Sequence, residues 1–370
     1  MSAALAPGGP VRDRTTPDGV AVDSLACGRG AYRRLTRRRV ALLGLLALLL
    51  AGSLVADLAR GPARYGYAEV VRALLLGDVP LPVSVVVWEI RLPVALMAVV
   101  VGASLSVAGA QMQTVLNNPL ASPFTLGISA AAGFGAALGF VLGVSLLPSG
   151  WSSWTIPANA FLCAMGCALL IHVLSQRRGM GTETIVLLGI ALVFTFNAAL
   201  AALEFIASEQ ALAAVVFWTM GSLGRTTWAK LGVATAALAL VWPLFARQAW
   251  ALTALRLGEQ KAASFGIRVG RLRLQTILLV SALASISVAF VGTIGFIGLV
   301  GPHISRMLVG EDQRFFLPAS ALAGALVLSA ASVLSKAIIP GLILPIGVVT
   351  ALVGVPFFFS LILSTRSRAW

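Results

Sequence analysis

The feature that most limits what this chain can become is a series of apolar runs, each about as long as a bilayer is thick, divided by Gly, Pro and charge. A hydrocarbon core of ~30 Å takes roughly 20 apolar residues per helix. Helices suit that setting because they satisfy their own backbone groups. Such runs occupy residues 38–58, 91–116, 123–146, 154–174, 183–206, 228–247, 272–293, 295–308, 318–337 and 344–364. Apolar residues make up 59% of the 370 and charged residues 11%, whereas soluble domains carry about a quarter charged. The pattern predicts an all-α polytopic membrane protein of about ten transmembrane helices. The eighth run, GFIGLVGPHISRML, is short and contains a proline, so a broken or half-length helix is expected there.

The formal charge of +14 matters through its distribution. The block RGAYRRLTRRR, residues 29–39, stands just before the first long apolar run, ALLGLLALLLAGSLVADLA. A basic block followed by a full-length span reads as a start-transfer helix with its N-terminus in the cytoplasm, not as a cleaved leader. Residues 1–30, rich in Gly, Pro, Asp and Ala, read as a disordered cytoplasmic tail, and 31–370 as the transmembrane domain. Ten spans then put Arg177, Arg178, Arg247, Arg256, Lys261, Arg268, Arg271, Arg273, Arg306, Arg314, Arg366 and Arg368 inside with the N-terminal block. Outside remain Arg60, Arg64, Arg72, Arg91, Arg225, Lys230 and Lys336. Both termini are therefore expected in the cytoplasm, and the basic excess is one of topology against lipid, not of nucleic-acid binding.

Chemistry is sparse. Asp57, His172 and Glu204 read as polar groups near span ends, and two histidines, His172 and His303, are too few to build a metal site. Cys163 and Cys167, one turn apart, read as small buried apolar residues. No HExxH, GxSxG or Walker GxxxxGK[ST] motif occurs, so no cofactor, metal or enzyme activity is expected, and an ATP-driven process would need its motor on another polypeptide. The segment ALTALRLGEQKAASFGIRVGRLRL, residues 251–274, has the apolar and charged alternation of short amphipathic helices against a partner, although a solvated basic loop fits equally. Gly135, Gly139 and Gly143 have close-packing spacing. GASLSVAGA (102–110) and LASISVAFV (283–291) form a faint echo in oppositely directed spans, as an inverted transporter repeat would.

Five blocks carry a family resemblance: VVWEIRLPVALMAVVVGASLSVAGAQMQTVLNNPLASPFTLGIS, FWTMGSLGRTTW, LRLGEQKAASFGI, VGTIGFIGLVGPHISRMLVG and LPASALAGALVLSAASVLSKAIIPGLILPIGVVTALVGVPFFF. Together, over about residues 85–364, they resemble the FecCD type of ABC importer permease, which imports iron-siderophores, haem and cobalamin. The resemblance implies a type II ABC importer permease fold in a bacterial cytoplasmic membrane. It also implies a second permease subunit, two ABC ATPase subunits and an extracytoplasmic substrate-binding protein, with an iron-siderophore as the first substrate candidate. Asn118, Pro119 and Leu120 match the family's cytoplasmic gate, with Gly181 and Thr182 at the other gate-forming loop. Arg256, Gly258, Glu259 and Lys261 fall in the ATPase-docking block. Arg91 and Lys336 stand where the family docks its binding protein, while Val94, Ser332 and Ile343 depart from that family's charged pattern. A haem or cobalamin permease, or a carrier working without an ATPase, are the alternatives.

Overall fold

The computed structural model describes residues 17–61, 65–77, 79–148, 152–178, 182–339 and 341–364. The chain divides into two compact units, residues 1–42 and 43–370. The described part of the first unit is the opening of helix α1 (Pro17–Ala59). Residues 17–30, which composition assigns to an unstructured tail, therefore belong to a helix. Pro17 is compatible with a first turn, where its missing N–H has no partner to lose, and the Ala and Leu that follow favour helix.

The second unit holds the end of α1 and then α2 (Tyr67–Leu75), α3 (Leu81–Val85), α4 (Leu92–Val115), α5 (Ile128–Leu142), α6 (Thr155–Arg178) and α7 (Thr182–Ile206). It continues with α8 (Glu209–Thr219), α9 (Trp228–Leu255), α10 (Glu259–Ser264), α11 (Val269–Val291), α12 (Ile297–Val309), α13 (Gln313–Ala337) and α14 (Ile346–Ser364). No strand occurs among the described residues. Seven helical stretches are long and apolar enough to cross a membrane, and 128–142, 297–309 and 346–359 are shorter apolar helices. Together they coincide with the ten apolar runs. The eighth run is α12, and its 13 residues span about 20 Å at ~1.5 Å per residue.

Two boundaries move from their expected positions. The second run begins at Leu81, not residue 91, because α3 feeds α4 through a π-type turn at Val86–Arg91. That wide turn precedes Pro93, whose ring would clash with the carbonyl four residues back in a regular helix. Likewise α9 continues past Arg247 to Leu255. The charge that ends an apolar run does not oblige the helix to stop.

α4 is the axis of the unit. Residues 101–116 are all buried, with α9, α11, α12 and α13 packed around the helix. Small residues make this possible. A Cβ on Gly109 would lie 1.9 Å from the Gly298 carbonyl oxygen of α12, and one on Gly102 would lie 2.5 Å from that of Gly324 on α13. Ser106, between them, donates from Oγ to the Ser320 carbonyl at 2.6 Å. In lipid, where apolar surface alone gives helices little reason to associate, such close backbone approach supplies the van der Waals contact. The α5 glycines divide their work. Cβ atoms on Gly135 and Gly139 would meet Asn159 and Ile156 of α6 at 2.4 and 2.5 Å, whereas Gly143 faces open space. Gly143 instead ends α5 in a left-handed conformation, φ 64°.

α4 and α11, which carry the two echoing segments, pack against each other. Each is followed by an irregular connection and a short helix entered through a left-handed residue, Gly127 (φ 79°) or Phe296 (φ 68°).

Gly109→Ala is expected to lower stability in detergent by about 1–3 kcal/mol, the usual cost of overpacking, read as a lower unfolding temperature. Gly232→Ala on α9, where nothing lies within 4 Å of the added methyl, should not lower it and gains the helix preference of Ala over Gly.

Candidate functional site

The axial helix has a cluster of polar groups at each end. At its C-terminal end, Val115 is the last helical residue, Leu116 caps the helix, and Asn117 takes a left-handed φ of 45°, a conformation that Asn tolerates better than most residues. The Asn118 amide donates to the Gln113 carbonyl at 3.1 Å, closing the helix end. The Asn118 side chain then accepts from the Leu120 amide at 2.9 Å, a local Asx turn. Pro119 precedes Leu120, whose side chain is 52% exposed. Ser122 and Pro123 start a short 3-10 turn that leads into α5. The two asparagines thus build a compact loop that presents Leu120 outward.

Across a cleft of about 540 Å³ from this loop lies the segment that joins α9 to α11. Asn117 and Asn118 line the cleft together with Gly258 and Glu259, and with Glu183 and Leu187 of α7. Gly258 is the N-cap of α10, with φ 108°. Glu259 is ion-paired to Arg273 of α11, and Lys261 is exposed. Arg256 caps α9 and donates from Nη1 to Asn117 Oδ1 at 3.2 Å. The structure therefore brings Gly258 and Glu259 to the same cleft as Asn118 and Arg256 onto its neighbour Asn117. Thr182 begins α7, and Gly181 lies outside the described residues.

The opposite end differs from the sequence expectation. Arg91 is buried, donating from Nη1 to the Leu58 carbonyl at 2.7 Å, with its guanidinium carbon 4.6 Å from the Tyr65 ring centroid. The Lys336 side chain is 8% exposed, and its Nζ lies 2.9 Å from Asp57 Oδ1. Asp57 is itself wholly buried and accepts a further hydrogen bond from Ser332 Oγ at 2.9 Å. Asp57 is thus an interior ion-pair partner and not an interfacial group. Ser332, which departs from the resembling pattern, and Lys336, which stands at an expected docking position, are the groups that meet it. Arg60 and Arg225 are exposed cations at this end. With Arg91 and Lys336 they line an otherwise largely apolar cavity of about 720 Å³ that has no acidic residue in its described lining. Arg60 and Arg225 were legible only as outward charges; their common cavity needs the fold.

Comparison with known proteins decides what kind of molecule this is. Residues 46–364 match the model of the FecCD transport family. The chain belongs to the FecCD transport family. Hemin transport system permease protein HmuU of Yersinia pestis is 38% identical over 76% of the chain and 84% of that protein. Vitamin B12 import system permease protein BtuC of Serratia proteamaculans is 37% identical over 76% of the chain and 82% of its own length. A solved ABC transporter in an inward-facing conformation, assigned to the metal-chelate type, shares 30% identity and superposes with a TM-score of 0.77. That superposition covers 88% of this chain and 99% of that one. This FecCD member is thus a membrane-embedded transport permease with the fold of an ABC transporter permease.

Lys336→Met, which strands the Asp57 carboxylate in the interior, is expected to destabilise the protein by about 3–5 kcal/mol. The double substitution Asp57→Asn/Lys336→Met should recover most of that loss. Thermal unfolding in detergent checks both.

Proposed function

We propose that this chain is the membrane-spanning permease subunit of an ABC importer and that it carries a metal chelate, an iron-siderophore first, into the cytoplasm. It works beside a second permease subunit, above two ABC ATPase subunits and below an extracytoplasmic binding protein, in a bacterial cytoplasmic membrane. Hemin and cobalamin form the second reading, favoured by the names of the two relatives. The observation that carries the proposal is the cleft shared by the Asn117–Leu120 loop and α10. It sets a loop with an outward apolar side chain beside a short helix suited to receive push from below.

In this reading Arg256, Gly258, Glu259 and Lys261 form the ATPase-facing surface, on the cytoplasmic side with both termini. Asn118, Pro119 and Leu120, with Gly181 and Thr182, form the gate. Leu120 of each permease subunit supplies an apolar stopper, and Asn118 fixes the turn that holds it there. ATP binding and hydrolysis act by preferring one arrangement of α10 over another, since only differential contacts shift a conformational equilibrium. No covalent step falls to this chain. On the outer side Arg60 and Arg225 are better candidates for meeting a binding protein's carboxylates than Arg91 and Lys336. Rim charges of that kind steer association more than they tighten it.

Reconstitution in proteoliposomes tests the proposal. Uptake of a ferric hydroxamate, hemin or cobalamin should require the ATPase subunits and ATP; uptake by the permease alone would make it a self-sufficient carrier. Asn118→Trp should reduce uptake to the vesicle background while the ATPase still co-purifies, and undiminished uptake would remove the gate assignment.

A further inference from the structure

The docking segment and the gate loop line one cleft. The other ion pair here, Glu259 with Arg273, ties α10 to α11 and not to the loop. What reaches the loop is Arg256, two positions before the α10 cap, through Asn117. Arg256 does not hold that position unaided. Its Nε donates to Glu311 Oε2 at 3.0 Å, and its Nη2 donates to the other carboxylate oxygen, a two-pronged grip. Glu311 Oε1 also lies 3.0 Å from Arg306 Nε of α12. Arg306 in turn donates from Nη2 to Gln113 Oε1 at 3.0 Å. Gln113 and Asn117, one turn apart at the end of α4, are therefore each held by a guanidinium, and both guanidiniums are held by one carboxylate.

We infer that Glu311 is a positioning residue that couples the docking segment to the gate by fixing Arg256 against Asn117. The inference rests on the importer reading above and adds to it the route by which α10 reaches the loop. A two-pronged guanidinium–carboxylate contact defines direction as well as distance, so displacement of the α9–α10 junction moves the group that holds Asn117. Without the carboxylate, the two like charges of Arg256 and Arg306 lose the group that holds both. Glu311 lies in the turn between α12 and α13, outside the α9–α10 segment, and touches that segment at Arg256. A change there leaves Gly258, Glu259 and Lys261 of the docking surface in place and acts on it through Arg256 alone.

The test uses the complete complex in proteoliposomes and reads substrate taken up per ATP hydrolysed, with radiolabelled ferric hydroxamate, hemin and cobalamin as probes. Glu311→Gln is expected to lower that ratio about fivefold or more, the size of a typical coupling free energy, with the ATPase still bound. Adding Asn117→Asp, which gives Arg256 a carboxylate at the loop itself, should recover part of the loss. An unchanged ratio in Glu311→Gln, including a proportional fall of uptake and hydrolysis, overturns the inference. Should that variant fail to assemble, Asn117→Gly serves. Glycine accepts the left-handed φ at that position while deleting the acceptor, so a lowered ratio supports the link and an unaltered ratio overturns it. Failure of the unsubstituted complex to drive any probe with ATP is a different result; it removes the importer reading and the inference with it.

Discussion

The contact on which the molecule depends is between backbones: α4 lies so close to α12 and α13 at Gly109, Gly102 and Ser106 that no side chain larger than a hydroxymethyl fits between them. Lipid tails are as apolar as leucine, so burying leucine against leucine would give α4 little reason to leave them. Close approach over many atoms does, because each dispersion contact is small and their number is large. The result is an axial helix enclosed by its neighbours over the whole of residues 101–116. Its two ends are thereby fixed relative to the same set of helices, which gives the loop at Asn117 a firm base.

Polar groups are concentrated where that axis ends. Near Arg91 two of the charges are buried, Lys336 paired with Asp57 and Arg91 hydrogen-bonded to the Leu58 carbonyl, so this end is braced as well as basic. Near Asn117 the charges are only partly covered, with Arg256 and Arg306 side chains each 21% exposed and Glu311 39%. Partial exposure keeps desolvation modest and leaves room for rearrangement, whereas the wholly buried Asp57 pair would resist being parted. One end is suited to hold and the other to move.

Much of this was legible in the residues. Apolar runs of bilayer length are a demand of the solvent on the chain, so all ten reappear as helices, and the NNPLASP stretch reads as a break because two prolines and two asparagines disfavour continuing helix. Helix ends were less legible: Arg247 stops an apolar run but not α9, and the π-type turn at Val86–Arg91 answers a proline that lies after it in sequence. Gly143 shares spacing with Gly135 and Gly139 but serves as a helix end, which depends on φ and not on period. Partnerships were least legible of all. Asp57 with Lys336, and Glu311 with Arg256, join residues remote in sequence, and no periodicity reports them. Their only trace is an acidic residue in or beside an apolar run, where such a group is costly alone.

The Asp57–Lys336 pair also bears on how the chain is made. Its members are 279 positions apart, so a ribosome adding about 5–20 residues per second delivers the lysine roughly 15–55 s after the aspartate has left the tunnel. Throughout that interval α1 carries an acidic group without the lysine that finally pairs with it. Emergence of α13 ends the wait, which makes the first helix to be threaded among the last to be locked.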